Sequence, residues 1–263
     1  MLKGFHVPLT AKGLSTLNPT PPWHYSCDLL SIEFWANPRA VTAMLPSALS
    51  IDPRSEGRAS AFFCDWQFSG DNDEYLDPAR YQYREFFILL DCLYEEQPVS
   101  YCAYMFVDND AALARGWSEG CPKRIASVYQ TRHHAAPSKA SPPLAAGSRF
   151  AASASANGQR LADALVTLTA PAKDFPEFAQ RPIVNLLHYP QLTRRQTAPT
   201  IHQLVMNVPR DMRFESPWVG EGHLSLPICY GEEVSDLAPL RCGYGLRASM
   251  SYTVDDLRIL RDL

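Results

Sequence analysis

Alternating and continuous apolar runs recur along the chain and predict an architecture built mainly from β-strands. The run from Cys27 to Trp35, CDLLSIEFW, is rich in aromatic and apolar residues, which is typical of a strand. Asn157 and Gly158 separate two alternating runs and predict a tight hairpin between them. The same patterns predict further strands at 59–68, 84–93, 99–107, 125–132, 201–208, 224–230 and 244–254.

Two short helices are predicted between these strands. In NPRAVTAMLP, Asn37 can cap the helix, Pro38 takes the first helical position and Pro46 ends it. Asp108 or Asn109 can cap a second helix over DAALAR. Surface segments or crossing connections, rich in proline and small polar residues, are expected at 7–24, 137–148 and 171–182. Many strands, few helices and 22 prolines therefore predict one domain over residues 1–263, all-β or α+β, with a barrel-like sheet.

Composition narrows the classes of function. A net charge of -4 argues against a nucleic-acid surface, and no apolar stretch has the length of a membrane span. The first residues lack the apolar centre of a signal peptide, and seven cysteines without paired spacing indicate reduced thiols in the cytoplasm. The sequence shows neither metal-ligand spacing nor a nucleotide-binding loop, so we expect no cofactor.

The stretch GWSEGCPKRIAS, residues 116–127, places Lys123 after a Gly-Cys-Pro turn, beside Arg124 and before an apolar run. An ordinary lysine has a pKa near 10.4, so it is protonated at neutral pH and is not a nucleophile. Apolar neighbours and the fixed charge of Arg124 would both disfavour the ammonium, and a neutral lysine attacks ketones to form an imine. The alternative is a solvated basic pair at the start of a strand, which the spacing alone leaves open.

GCPKRIA, preceded by ALARGWSE, resembles the Schiff-base lysine segment of the acetoacetate decarboxylase-like superfamily. In that segment a G-(aromatic)-P-K-K turn carries the imine-forming lysine, which Lys123 matches, and a second cation, which Arg124 matches. LSIEFWANPRAVTAMLPSALSIDP and YREFFILLDC resemble the family's early strand–helix unit and its glutamate-bearing strand, in the same order. The resemblance implies a cone-like, mostly antiparallel β-barrel with a few short helices, a lysine in a central apolar cavity, and a homo-oligomer of four or more chains.

The resemblance also implies acid–base residues around the lysine. Glu85 matches the site glutamate, which would move a proton near the imine. Glu119 stands where the aldolase-dehydratase branch has a glutamine, and Tyr252 matches a tyrosine that this branch places near the imine. Each also has a non-catalytic interpretation. Glu85 would be an outward strand carboxylate, Glu119 a surface turn residue and Tyr252 a core tyrosine. The candidate substrate-binding residues are Tyr83, Arg84 and Arg124.

Two departures from the decarboxylase pattern bear on the reaction. Where that pattern has an early arginine, this chain has Ser26-Cys27-Asp28, and only Asp65 could replace a second glutamate. We therefore expect a cofactor-independent lyase in which Lys123 forms an imine with a pyruvate-like keto acid, for aldol condensation with an aldehyde and dehydration, or the reverse. A β-keto acid decarboxylase is the first alternative, and a non-catalytic small-molecule binding protein on the same fold is the second.

Overall fold

Twelve strands and three α-helices are found in the part of the chain that the structure describes. The structure is a computed structural model and describes residues 1–136, 138–173, 180–193 and 198–263. The strands are β1 (Trp23–Trp35), β2 (Ser50–Ile51), β3 (Arg58–Ser69), β4 (Gln82–Tyr94), β5 (Gln97–Val107), β6 (Lys123–Ile125), β7 (Ser127–Gln130), β8 (Arg149–Ala156), β9 (Gln159–Pro171), β10 (Ile183–Tyr189), β11 (Ile201–Ser225) and β12 (Arg241–Asp262). The helices are α1 (Pro38–Met44), α2 (Pro78–Tyr81) and α3 (Asp110–Ser118).

Seven strands close into a ring in the order β10-β5-β4-β3-β1-β12-β11, because β11 pairs with β10 as well as with β12. The last residues of β11 pair instead with β9, from which β8 and β7 continue the sheet. Neighbours in the ring are antiparallel except β5 and β10, and β6 also joins β5 in parallel. The ring is irregular, but the architecture is the mostly antiparallel, barrel-like α+β fold that the resemblance implied.

Side chains alternate between the two faces of a strand, and this alternation divides the core into two clusters. On β4, for example, Phe86 and Ile88 belong to one cluster, whereas Tyr83 and Phe87 belong to the other. The second cluster is rich in aromatic residues, and we call four of its members, with the partly buried Tyr252 that packs against them, the aromatic cluster. They are Tyr25, Trp66, Phe68, Tyr83 and Tyr252.

Capping and turn residues confirm several of the sequence predictions. The side chain of Asn37 accepts a hydrogen bond from Arg39 N at 2.9 Å, and α1 begins at Pro38. Asn109, rather than Asp108, caps α3 by accepting from Ala112 N. Between β8 and β9 the hairpin turn consists of Asn157 and Gly158, which have φ values of +52° and +74°.

Other predicted boundaries are wrong. The strand predicted at 125–132 is divided into β6 and β7 at Ala126, and the strand predicted at 224–230 fails because β11 ends at Ser225, before Pro227, which has no N–H for a ladder. The strands predicted at 201–208 and 244–254 are parts of β11 and β12, which are 25 and 22 residues long. Residues 174–179 of the predicted crossing lie outside the described residues. Among the helices that are described, none has the length and apolar character needed to cross a membrane.

Candidate active site

The turn between α3 and β6 places Lys123. The backbone N–H of Glu119 closes the last turn of α3 on the carbonyl of Gly116 at 3.0 Å. Gly120 follows with φ of +75°, a conformation that favours glycine, and the N–H of Cys121 returns to the same Gly116 carbonyl at 2.8 Å. The chain therefore reverses sharply, and Lys123 enters β6 directly after the reversal.

Two residues of α3 hold the lysine itself. A Cβ at Gly116 would overlap Cδ and Cε of Lys123, so the helix backbone lies directly against the aliphatic part of the lysine. Trp117 Nε1 donates to the carbonyl oxygen of Lys123 at 2.9 Å, and β6 pairs Lys123 with Met105 of β5. The lysine is 5% exposed and is therefore not half of a solvated basic pair.

Glu85 contacts Lys123 in the interior. Glu85 Oε2 lies 2.8 Å from Lys123 Nζ, and both side chains are 5% exposed. The contact is an ion pair without the alignment of a good hydrogen bond, while Oε1 accepts a hydrogen bond from Trp66 Nε1 at 3.1 Å. Glu85 is thus not an outward strand carboxylate, and its distance from the lysine nitrogen suits transfer of a proton.

Glu119 is buried rather than exposed on the turn. Asn207 Nδ2 donates to Glu119 Oε1 at 3.3 Å, and Asn185 Nδ2 donates to its backbone carbonyl at 3.2 Å. Burial raises the pKa of the Glu119 carboxyl above its usual range, although the charges of Lys123 and Arg115 act in the opposite direction. The carboxyl therefore keeps its proton to higher pH than an exposed glutamate does, and it can donate that proton where a glutamine cannot.

Tyr252 packs among the other rings of the aromatic cluster. Its ring stacks on Tyr25 with centroids 4.9 Å apart and meets Trp66 edge-on at 5.8 Å. Tyr83 stacks on Trp66, and Lys123 Nζ lies 5.3 Å from the centre of the Tyr83 ring. Burial raises the pKa of Tyr252 well above its usual value, so its phenol is protonated at neutral pH and available as a donor.

Arg115 is a residue that the sequence analysis missed. It lies eight positions before Lys123, is 1% exposed, and has its guanidinium 3.7 Å above the Phe68 ring. Nη1 donates to Asn18 Oδ1 at 2.8 Å, whereas Nε and Nη2 make no well-aligned hydrogen bond to any described residue. The guanidinium carbon lies 5.3 Å from the Tyr83 ring centre, as Lys123 Nζ does, so both cations lie near the same ring. A basic residue in the last turn of a helix ordinarily complements the helix dipole, so its position gave no sign of burial.

A family model matches nearly the whole chain. The family model for acetoacetate decarboxylase (ADC) matches residues 6–263. The chain belongs to the acetoacetate decarboxylase family. No curated protein matches it.

Solved structures of ADC-like proteins share this fold. The chain is 32% identical to the enduracididine biosynthesis enzyme MppR, with a TM-score of 0.92 over 100% of this chain and 98% of that one, in a complex with the condensation product of pyruvate and imidazole 4-carboxaldehyde. MppR complexed with pyruvate gives a TM-score of 0.91 at the same identity, over 100% of this chain and 99% of that one. An ADC-like enzyme from Sphingomonas wittichii RW1 is 23% identical, with a TM-score of 0.90 over 99% of this chain and 100% of that one, and shares the fold.

Arg124 lies away from the buried lysine. It follows Lys123 in β6, so its side chain leaves the other side of the strand and is exposed. Its Nη1 lies 2.6 Å from Glu232 Oε2, and the Glu232 side chain is buried whereas that of Arg124 is exposed. The structure therefore does not bring Arg124 to the buried group, and the second buried cation is Arg115 from α3.

Arg84 also lies apart from the lysine. Alternation along β4 places Tyr83 and Glu85 on one face and Arg84 on the other. There its backbone N–H donates to Asp108 Oδ1 at 2.7 Å, and its guanidinium lies 5.0 Å from the Tyr129 ring centre. Of the three residues expected to bind substrate, only Tyr83 adjoins Lys123.

The carboxylates at the two departures from the decarboxylase pattern, Asp28 and Asp65, also point away from the aromatic cluster. Asp28 of β1 stands opposite Asp65 of β3, and both belong to the strand positions that point away from the aromatic cluster. Asp28 pairs with Arg247 at 2.8 Å and Asp65 pairs with Arg132 at 2.7 Å. Neither carboxylate joins Glu85, so Asp65 does not replace the second glutamate of the decarboxylase pattern.

Proposed function

We propose that the protein condenses a pyruvate-like keto acid with an aldehyde through an imine on Lys123 and then removes water, without a cofactor. The observation that carries the proposal is the contact of a buried lysine with Glu85, beside an arginine whose Nε and Nη2 have no well-aligned hydrogen-bond partner within the described residues. The similarity of the chain to MppR, which binds pyruvate and a pyruvate–aldehyde condensation product, supports the choice of substrate.

In the first step, the Lys123 amine attacks the C2 carbonyl carbon of the keto acid. Glu85, 2.8 Å away, accepts the proton that the ammonium must lose and returns it to the departing hydroxyl. Loss of water then leaves a protonated imine, which acts as an electron sink. As a carboxylate again, Glu85 removes a proton from C3, and the imine becomes an enamine.

Arg115 provides the group that orients the acid. Nε and Nη2 form one edge of the planar guanidinium, and such an edge binds a carboxylate through two parallel hydrogen bonds. Arg115 and Lys123 each lie 5.3 Å from the centre of the Tyr83 ring, and we place the carboxylate of a small keto acid at Arg115 and its ketone at Lys123. A ketone that carries a carboxylate should therefore bind more tightly than a neutral ketone.

In the second half of the reaction, the enamine carbon bonds to the aldehyde carbon. The Tyr252 phenol gives the new alkoxide its proton, and the resulting phenolate removes the second proton from C3. Glu119 in its protonated form gives a proton to the hydroxyl that leaves, and the first C3 proton, held by Glu85, replaces it. Hydrolysis of the imine releases the product and regenerates Lys123. One keto acid and one aldehyde therefore yield one conjugated unsaturated keto acid and one water.

Decarboxylation remains the second candidate because Arg115 changes one argument from the sequence. The missing early arginine counted against a decarboxylase, but Arg115 supplies a buried guanidinium from elsewhere. A guanidinium can orient a carboxylate that leaves as well as one that stays, so Arg115 does not separate the two reactions, whereas the similarity to MppR complexed with a pyruvate–aldehyde condensation product supports condensation. We therefore place condensation first.

Reductive trapping tests the imine. Borohydride with pyruvate should leave one covalent adduct, on Lys123, located by mass spectrometry of the digested protein. Glu85→Gln keeps the shape but cannot accept a proton, so trapping should slow by about 10²-fold or more. Glu232→Gln is the matched control, because it makes the same change in the carboxylate that pairs with Arg124 and should trap at the rate of the unmodified protein.

The possible outcomes separate the candidate functions. New near-ultraviolet absorbance from pyruvate and an aromatic aldehyde is the expected result. Rapid CO2 release from acetoacetate, with no product from a panel of aldehydes, would favour the decarboxylase. An adduct on Lys139 or Lys173 instead of Lys123, or no adduct with either pyruvate or acetoacetate, would exclude an imine on Lys123. That result would favour a non-catalytic binding protein.

We also propose a cytoplasmic homo-oligomer of four or more chains. All seven cysteines are free and six are buried, as expected in a reducing compartment. Exposed apolar side chains available for an interface include Trp117, Ile125 and Tyr129, whereas Trp66 is buried in the aromatic cluster. Light scattering at micromolar concentration should give a multiple of 29.4 kDa, and a stable monomer would contradict the proposal.

A further inference from the structure

Asn18 contacts Arg115 from an unexpected part of the chain. It belongs to the proline-rich segment before β1, which the sequence assigned to the surface, yet its side chain is fully buried. Its Oδ1 accepts from Arg115 Nη1 at 2.8 Å, and its Nδ2 donates to the backbone carbonyl of Ala111 at 3.2 Å. The amide therefore bridges the first and last turns of α3.

The orientation of this amide is fixed by its partners. A guanidinium only donates and a carbonyl only accepts, so exchanging the oxygen and nitrogen of Asn18 would break both hydrogen bonds. The segment is held in turn by Thr16, whose hydroxyl donates to the carbonyls of His6 and Asn18 at 2.7 and 3.1 Å. Asn18 is thus a rigid acceptor that fixes one nitrogen of Arg115.

The Asn18 acceptor is a neutral amide, and its lack of charge matters for binding a substrate carboxylate. An aspartate of the same shape would pair with Arg115 as an anion and compete with a substrate carboxylate for the same charge. An amide oxygen holds the guanidinium by Nη1 without bringing a negative charge to it. These two nitrogens are the ones without a well-aligned partner among the described residues.

We propose that Asn18 is a positioning residue for keto acid recognition, which holds Arg115 so that its Nε–Nη2 edge receives the substrate carboxylate. The proposal rests on the proposed function and names the part of the chain that gives it selectivity for acids. The amino-terminal segment is then a functional part of the site.

The test compares pyruvate with acetone, a ketone that has no carboxylate, in borohydride trapping on Lys123. In Asn18→Asp, the pyruvate concentration for half-maximal trapping should rise about tenfold or more, while that for acetone stays within about twofold. Asn18→Ala removes the acceptor without adding a charge and should give the same split with a smaller change. Asn157→Asp makes the same substitution in the β8–β9 turn and should leave both ketones unaffected.

The change in melting temperature with pyruvate gives a second measure that needs no imine. Pyruvate should stabilise the unmodified protein, and Asn18→Asp or Asn18→Ala should lose this stabilisation. Equal changes for both ketones, or no change for either, would overturn the role of Asn18 even if Lys123 is labelled. If Lys123 is not labelled but pyruvate still stabilises the protein in an Asn18-dependent way, the imine is overturned and the role of Asn18 is kept. If Lys123 is not labelled and pyruvate stabilises neither the unmodified protein nor the variants, both are overturned.

Discussion

At the scale of single residues, four ionisable side chains determine the character of the buried group. Lys123 and Arg115 are potential cations, and Glu85 and Glu119 are potential anions. Burial raises the pKa of Glu119 above its usual range, and Glu85 is the carboxylate in contact with Lys123. The well-aligned hydrogen bond of Arg115 within the described residues goes to the neutral amide of Asn18, so a substrate carboxylate would give this guanidinium a charged partner.

The pH dependence of stability tests the state of Glu119. Its folded pKa is raised above the ordinary value of 4.5, so its contribution to stability is full below that value and is lost as pH rises through the folded pKa. Glu119→Gln has no titratable group, so it should lose less stability than the unmodified protein from pH 4.5 upward. Urea unfolding at a series of pH values measures this, with the exposed Glu215→Gln as control. Parallel pH profiles for Glu119→Gln and the unmodified protein would contradict the buried protonated acid.

At the scale of elements, helix caps and tight turns could be predicted from the sequence, whereas the pairing of distant strands could not. Asn37 and Asn109 predicted two helix starts, and Asn157-Gly158 predicted a turn, because caps and tight turns depend on neighbouring residues. The full lengths of β11 and β12 were not predictable, since bulges interrupt their alternation. Lys123, Glu85, Glu119 and Tyr252 came from the resemblance, whereas Arg115 and Asn18 needed the packing of α3 against the amino-terminal segment.

The approach of α3 to β6 gives a prediction for Gly116→Ala. Alanine is favoured over glycine in a helix by about 1 kcal/mol, but its Cβ would overlap the Lys123 side chain. We expect borohydride trapping with both pyruvate and acetone to fall by about tenfold or more, because displacement of the amine affects every ketone. Gly158→Ala, at a turn where a Cβ meets no atom within 4 Å, should cost stability without slowing trapping. Unchanged trapping in Gly116→Ala would show that the lysine does not depend on this contact.

At the scale of the whole molecule, charges reinforce the ring where its hydrogen bonding is sparse. β10 joins β5 through only two register pairs. Immediately before β10, Arg181 lies 2.9 Å from Asp52 and 3.5 Å from Asp91 of β4. Asp91 also pairs with Arg58 of β3, which lies 3.6 Å from Glu33 of β1. This buried network therefore links the entry of β10 to three consecutive strands of the ring.

Arg181→Met tests whether the network holds the ring closed. The Asp52 and Asp91 side chains are 0% and 3% exposed, and without Arg181 they keep Arg54 and Arg58 as partners. The cost should therefore be that of lost hydrogen bonds to buried groups, about 1–3 kcal/mol. We expect a loss of that order in the free energy of unfolding by urea, since methionine supplies volume but no charge. Arg210→Met breaks an exposed pair with Asp255 and should change stability little, because water screens that pair. Trapping on Lys123 should survive Arg181→Met under conditions where the variant is folded, because β6 and α3 position the lysine independently of Arg181. Equal stability of the two variants would mean that backbone pairing alone closes the ring.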